Sequence, residues 1–320
     1  MSLIADLTPT NYQQEKERFL IDPSFDPQFE YVREFTEDEL LEKGLPSERY
    51  LELANKILKK ASETFTPEEF EASRGEILSE EKVNTAIEDF LGVHKLDNRF
   101  ELRWSADFVS IASVTDDNVV KLRRPCSIHE NDLLGLIYHE IGTHALRRIN
   151  YQQQPWYKKK KRYGFAPYLK TEEGLATMNS LMTKKQPFAY RASINYLATQ
   201  MAQESSFLEV WNFVRSHISD KERAFAMTFR KKRGLKDTQR PGGSTKDLVY
   251  FEGVIDTVEF LIANDFPMKE LYFGKMSWQD IDKAVKLNPD FEPILPIFYT
   301  QDPDAYQEKV RKVARTNFLA

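Results

Sequence analysis

The six residues His139-Glu140-Ile141-Gly142-Thr143-His144 constrain this 320-residue chain more than any other stretch. They lie on a segment whose apolar positions Leu133, Leu134, Ile137, Ile141, Ala145 and Ile149 recur at helical spacing, so the segment reads as a helix buried along one stripe. Two histidines on one helix, with a carboxylate directly after the first, offer imidazole ligands for zinc and a base for a nearby water. Their separation does not suit a regular helix. Residues four apart stand roughly 40° apart around an α-helix, whereas residues five apart stand roughly 140° apart, too far round to share one ion. A turn closed by i→i+5 hydrogen bonds would restore a common face, and Gly142 weakens the regular helix where that turn is needed. The sequence therefore predicts a locally widened turn over residues 141–143, with zinc held by His139 and His144 and with Glu140 as the base.

A catalytic zinc needs a third protein ligand and one open position. Thr171-Glu172-Glu173-Gly174-Leu175-Ala176 begins 27 residues after His144 and opens a second helix, with Thr171 as its expected cap. A carboxylate from this helix suits a two-histidine, one-glutamate arrangement. Spacing leaves Glu172 and Glu173 equivalent, and both also suit a helix N-terminus through its dipole.

Elsewhere the pattern is mostly helical. Thr36 and Glu39 form a capping box, and Gly44 closes that short helix. Residues 47–65 carry Leu51, Ala54, Ile57, Leu58 and Ala61 at helical spacing, Pro67 suits the first position of a new helix, and residues 79–93 form a further one. Residues 100–104, 109–114 and 119–124 are rich in β-branched and aromatic side chains, with Asp116-Asp117-Asn118 as a turn. They predict a small antiparallel sheet ending in a hairpin before the histidine helix, whose start is marked by a capping box of Ser127 and Glu130. Residues 158–162 form a basic loop, residues 234–247 a Gly/Pro/Ser/Thr-rich one, and helices resume at 248. The expected fold is α+β and mainly helical. It is expected as one domain over 1–320, with residues 1–75 a helical wrap on a core of 76–320.

Composition sets outer limits. No run of eighteen apolar, uncharged residues is present, so no membrane contact is expected. The opening MSLIADLTPT has neither a basic nor an apolar region of a secretory leader. The single cysteine, Cys126, cannot form an internal disulfide, which fits a reducing, cytoplasmic compartment. Charge is unevenly spread. Residues 121–250 hold 24 Lys and Arg against 11 Asp and Glu, net +13, while the remainder holds 21 against 39, net −18. The middle of the chain thus suits an acidic partner. The overall charge of −5 and the lack of a recognisable motif argue against nucleic acid.

HEIGTH followed by TEEGLA resembles the microtubule-associated tyrosine carboxypeptidase family and its bacterial relatives with a QEGLA motif. The likeness runs along nearly the whole chain. It includes PTNYQQEKERF and DPQFEY between Pro9 and Tyr31, QPW from Gln154, RYG from Arg162, and KQPF with Arg191. It continues through KRG with Asp237 and Thr238, KD with Tyr250 and Gly253, DFP at Asp265 and GK at Gly274. The resemblance implies a zincin-like metallopeptidase holding one zinc ion, with Glu173 as third ligand, because the bacterial relatives carry Gln at the position of Glu172. It implies removal of the C-terminal tyrosine from the glutamate-rich tail of α-tubulin, on microtubules, by a chain expected to act as a monomer. Arg230, Arg233 and Lys246 match family positions and are candidates for the substrate's terminal carboxylate, which Arg can hold bidentately. Tyr250 is a candidate oxyanion donor. The strand over 119–124 is expected to add the substrate main chain as a neighbouring strand, with Arg123 and Arg124 beside the acidic tail. A peptidase working from the amino end would need acidic anchors, which the basic middle of the chain does not favour. The alternatives are an enzyme acting on another acidic C-terminal peptide and a non-catalytic binder of microtubules using residues 158–162 and 230–233.

Overall fold

In the computed structural model, residues 7–106, 108 and 110–319 are described, so the expected strand start at Val109 lies outside them. In chain order the first elements are α1 (Tyr12–Ile21), α2 (Glu37–Leu40), α3 (Glu48–Ser62), α4 (Pro67–Ala72) and α5 (Glu80–Val93). Strands β1 (Glu101–Ser105), β2 (Ala112–Val114) and β3 (Val119–Arg123) follow. Next come α6 (Glu130–His139), a π-helix (Glu140–Ala145), α7 (Leu146–Gln152), α8 (Leu169–Leu181) and α9 (Tyr190–Ala202). The chain then forms α10 (Phe207–Arg215), α11 (Lys221–Lys232), α12 (Leu248–Ala263) and α13 (Met268–Leu271). After the 3-10 turn Trp278–Asp280 it ends in α14 (Ile281–Leu287), α15 (Ile297–Thr300) and α16 (Pro303–Thr316). The fold is mainly helical, as the periodicity demands. Among the described residues no helix is long and apolar enough to cross a membrane.

Contacts divide the chain into two compact units. One comprises residues 1–72 and 189–251. The predicted box at α2 is present, with Thr36 and Glu39 each bonding the other's backbone N–H. The α3 stripe buries Tyr50, Ala54, Ile57, Leu58 and Ala61, and α3 packs on α9. The core of this unit is aromatic: Phe19 sits edge-on to Phe207 and Trp211, both at 5.1 Å between ring centroids, a favoured arrangement for such rings.

The other unit comprises residues 73–188 and 252–320 and holds the sheet and the histidine helix. The strand order is β1-β3-β2. β2 and β3 form the predicted antiparallel hairpin, but β1 pairs with β3 in parallel, so the sheet is mixed rather than antiparallel. The hairpin returns β3 into the space between β1 and β2, and residues 101–105 therefore meet 119–123 running the same way. Local turn signals specify the hairpin but not which strand the earlier segment will join. The placement also overturns strand addition on β3. Val120 and Leu122 have strand partners on both sides, and the N–H groups of Arg123 and Arg124 already donate to Ile111 and Ser105.

Three local expectations fail for identifiable reasons. The helix α6 starts after His129, and Ser127 Oγ accepts from the Arg123 guanidinium instead of capping it. Leu134 is 48% exposed, so the buried stripe runs through Ile137, Ile141, Ala145 and Ile149. Thr171 lies inside α8, which begins at Leu169, and its hydroxyl accepts from the Trp278 N–H at 3.3 Å.

Candidate metal centre

The widened turn is present. Residues Glu140–Ala145 form a π-helix between α6 and α7, and it covers the predicted 141–143. Neighbours support the departure from α-helical bonding. The Thr143 hydroxyl donates to the Tyr138 carbonyl at 2.9 Å, five residues back, and itself accepts from Asn179 Nδ2 at 2.9 Å. The buried Tyr272 hydroxyl donates to the Gly142 carbonyl at 2.8 Å. Gly142 also leaves room for Phe298: a Cβ there would lie 2.5 Å from that ring, which would have to shift.

The π-turn puts both histidines on one side, with ring centroids 4.9 Å apart. Glu173 reaches them from α8. Its Oε2 lies 3.7 Å from Nε2 of His139 and 3.7 Å from Nε2 of His144. One ligating atom from each of the three residues falls within 4.8 Å of the others. Glu140 is beside them, with Oε1 3.9 Å from His139 Nε2. All four side chains are largely withdrawn from solvent. Burial pushes the His139 imidazole below its usual range, against the pull of Glu140. Burial would do the same to His144, but the Glu173 and Glu172 carboxylates outweigh it and hold that ring up at about 10. Burial opposes ionisation of Glu173, yet His144 and His139 keep its carboxyl below the usual range.

Glu172 and Glu173, inseparable by spacing, occupy different places. Glu172 accepts from His144 Nδ1 at 2.9 Å, on the ring edge opposite the shared Nε2 face. It is almost fully buried and also bound by the Arg147 guanidinium, while Lys275 Nζ is 3.6 Å away. These cations overcome burial and hold the Glu172 carboxyl far below the usual carboxylate range. Sequence reasoning missed Arg147 and Lys275. The one available signal was an arginine three residues after His144 on a helix otherwise read as buried.

The remaining candidates are distributed differently. Arg124 forks the Glu80 carboxylate with two bonds of 2.8 Å and is half exposed, and Arg123 bonds Ser127. Arg230, Arg233, Lys246 and Tyr250 all belong to the unit of residues 1–72 and 189–251. There Arg230 bonds the buried Asp247 carboxylate at 2.5 Å and stands 5.9 Å from the Tyr250 ring. The fully buried Lys231 bonds the same carboxylate. Burial pushes Arg233 below its usual value, with Arg230 adding repulsion, and Lys246 is lowered by burial and by Arg233. In the 158–162 loop, Lys160 is not a free surface charge: its Nζ donates to the Lys275 carbonyl at 2.9 Å and sits on the Tyr168 ring.

A sequence model of the family described as "Microtubule-associated tyrosine carboxypeptidase" matches residues 37–290. The chain is 30% identical to "Microtubule-associated tyrosine carboxypeptidase 1" of Rattus norvegicus, covering 99% of this chain and 69% of that protein. It is 30% identical to the protein of the same name in Homo sapiens, covering 99% and 68%. It is 29% identical to MATCAP2 of Mus musculus, where it spans 62% of the relative's length.

Proposed function

The chain belongs to the microtubule-associated tyrosine carboxypeptidase family, and on that premise we propose that it is a zinc-dependent carboxypeptidase removing the C-terminal tyrosine from the acidic tail of α-tubulin. The observation that carries this reading is the convergence of His139, His144 and Glu173 with Glu140 beside them. Two imidazoles and one carboxylate fit zinc with a position left open, a donor set suited to catalysis rather than to a closed structural site. A zinc ion held by these three residues would supply a Lewis acid for the scissile carbonyl.

The chain's own groups do the rest. The Glu140 carboxylate accepts a proton from the attacking water and later passes it to the departing amino group of tyrosine. The side chains are largely withdrawn from solvent, and that setting limits competing water. β2 is an edge strand packed against the π-helix, and it takes the role expected of β3 as the strand available to a substrate main chain. Arg230, Arg233 and Lys246 outnumber the Asp247 carboxylate that Arg230 binds, which suits them to a terminal carboxylate or to the glutamates before it. Tyr250 is retained as a hydrogen-bond donor to the substrate, with Arg230 beside its ring. Arg123 and Arg124 keep a smaller part at the edge of the tail. The working setting is the cytoplasm, on microtubules.

The full chain should release tyrosine from peptides ending in Glu-Glu-Tyr. Release should vanish with a chelator and fall by at least about 100-fold in Glu140→Gln, the scale of lost general-base catalysis. No release from any acidic C-terminal peptide would overturn the carboxypeptidase reading. Equal release of other terminal residues from glutamate-rich tails would redirect it to a different acidic substrate.

A further inference from the structure

Besides Glu173 and Glu140, the centre contains a third carboxylate whose bonds all point away from the reacting face. Glu172 sits next to a proposed ligand in sequence, yet it faces Nδ1 of His144 at 2.9 Å, while Nε2 of that ring faces Glu173. An imidazole that donates from Nδ1 presents its lone pair at Nε2, and such a partner also fixes the rotation of the ring. Glu172 is in turn held from behind. Arg147 binds its Oε2, donates from Nε to the Leu271 carbonyl at 2.9 Å, and donates from Nη2 to the Met276 carbonyl at 2.8 Å. Both side chains are essentially withdrawn from solvent, at 2% and 0% exposure. Lys275, from the same segment as those carbonyls, adds a second cation 3.6 Å from Glu172 Oε1.

We infer that Glu172 is a positioning residue that fixes the tautomer and orientation of His144, and that Arg147, docked on residues 271–276, is the brace that fixes Glu172. The inference rests on the metal centre proposed above. Glu172 touches neither the reacting atoms nor the shared face of the three proposed ligands. Its contribution is to remove the alternatives open to His144: a flipped ring, or the neutral tautomer whose lone pair sits on Nδ1. The geometry also explains how two adjacent residues of α8 serve opposite edges of one ring. Consecutive helical residues stand about 100° apart, so one reaches the Nε2 face and the other passes behind the ring.

The test is metal affinity of the 320-residue chain, measured by competition with a chromogenic chelator, together with the absorption spectrum of the cobalt-substituted protein. Wild type should bind one zinc. Glu172→Ala should bind it about 10- to 100-fold more weakly, the usual scale for losing such a partner, with an altered cobalt spectrum. Glu172→Gln keeps an oxygen opposite Nδ1 and should recover most of the affinity. Glu172→Asp keeps the charge but withdraws the oxygen by about one bond length, ~1.5 Å, and should resemble Glu172→Ala in affinity. It stands in for that variant should the alanine form fail to fold. Wild-type affinity and spectrum in Glu172→Asp or Glu172→Ala would overturn the positioning role alone. Absence of zinc binding by wild type would overturn the metal centre itself and this inference with it.

Discussion

Replacing Gly174 with alanine should damage the centre without touching any proposed ligand. Gly174 follows Glu173 on α8, where that helix crosses α12 at Gly253. A Cβ at 174 would lie 2.1 Å from the Gly253 carbonyl oxygen, 2.4 Å from its carbon and 2.5 Å from the buried Thr257 hydroxyl. Ordinary contact begins at 3.4 Å, so the helices must separate by about 1.3 Å. The nearest obstacle is the Gly253 backbone, so turning the Thr257 side chain away would not relieve it. Overpacking of this kind costs about 1–3 kcal/mol or more. In a unit of 150–250 residues each kcal/mol lowers Tm by about 2–4 °C. The separation acts on the residue beside Glu173, so it should move that carboxylate from the histidines by a comparable distance. A misplacement of about 1 Å can cost a factor of about 100 in rate. Differential scanning calorimetry, zinc titration and tyrosine release together check the chain of reasoning. Gly174→Ala with wild-type Tm and wild-type zinc affinity would refute it. A lower Tm with unchanged affinity would refute the coupling between helix packing and Glu173.

Three further outcomes are expected. Tyr272→Phe removes the buried hydroxyl that donates to the Gly142 carbonyl, so it should lower stability by about 0.5–1.5 kcal/mol in urea unfolding. Burial pushes the Lys160 ammonium down to about 8 from its ordinary 10.5, with Glu172 opposing the shift. The folded chain therefore binds fewer protons than the unfolded one between about 8 and 10.5, and stability from this group rises with pH across that window. Lys160→Met should flatten that rise when urea midpoints are followed through it. Arg233→Ala and Lys246→Ala should each raise KM for a glutamate-rich peptide with little change in kcat, and should weaken the dependence of kcat/KM on salt.

What could be read in advance follows from how local the signal was. Five-residue spacing between His139 and His144 is a geometric contradiction inside one helix, so the widened turn followed without knowledge of the rest of the chain. Capping at Thr36 and Glu39 is equally local and was legible for the same reason. The failures involve partners distant in sequence. Ser127 is a good cap by type, but the Arg123 guanidinium takes its hydroxyl. The pairing of β1 depends on where a later hairpin deposits β3. Glu172 and Glu173 have the same chemistry and almost the same position, so spacing could not separate them; the resemblance pointed to Glu173 as ligand, but the brace on Glu172 depends on Arg147 and the distant residues 271–276. Nor does any local pattern in residues 1–72 reveal that they share a unit with 189–251.

The widened turn has a consequence for the rest of its unit. An α-helix closes its own hydrogen bonds, so a pair of histidines four apart asks little of its surroundings. A π-turn is rarer, and here Tyr272 donates to its Gly142 carbonyl from outside, while its own Thr143 hydroxyl bonds the Tyr138 carbonyl and is supported by Asn179. Asn179 in turn accepts from the Tyr306 hydroxyl of α16 at 3.1 Å, and Phe298 of α15 fills the space that Gly142 leaves empty. Arg147 takes its two carbonyl partners from residues 271–276. The structure of a six-residue motif in the middle of the chain therefore depends on a run that begins more than a hundred residues later. The five-residue spacing and the segment from 271 to 306 work as one device: Tyr272 bonds the turn directly, Tyr306 holds the Asn179 that supports Thr143, and Phe298 packs where Gly142 leaves room.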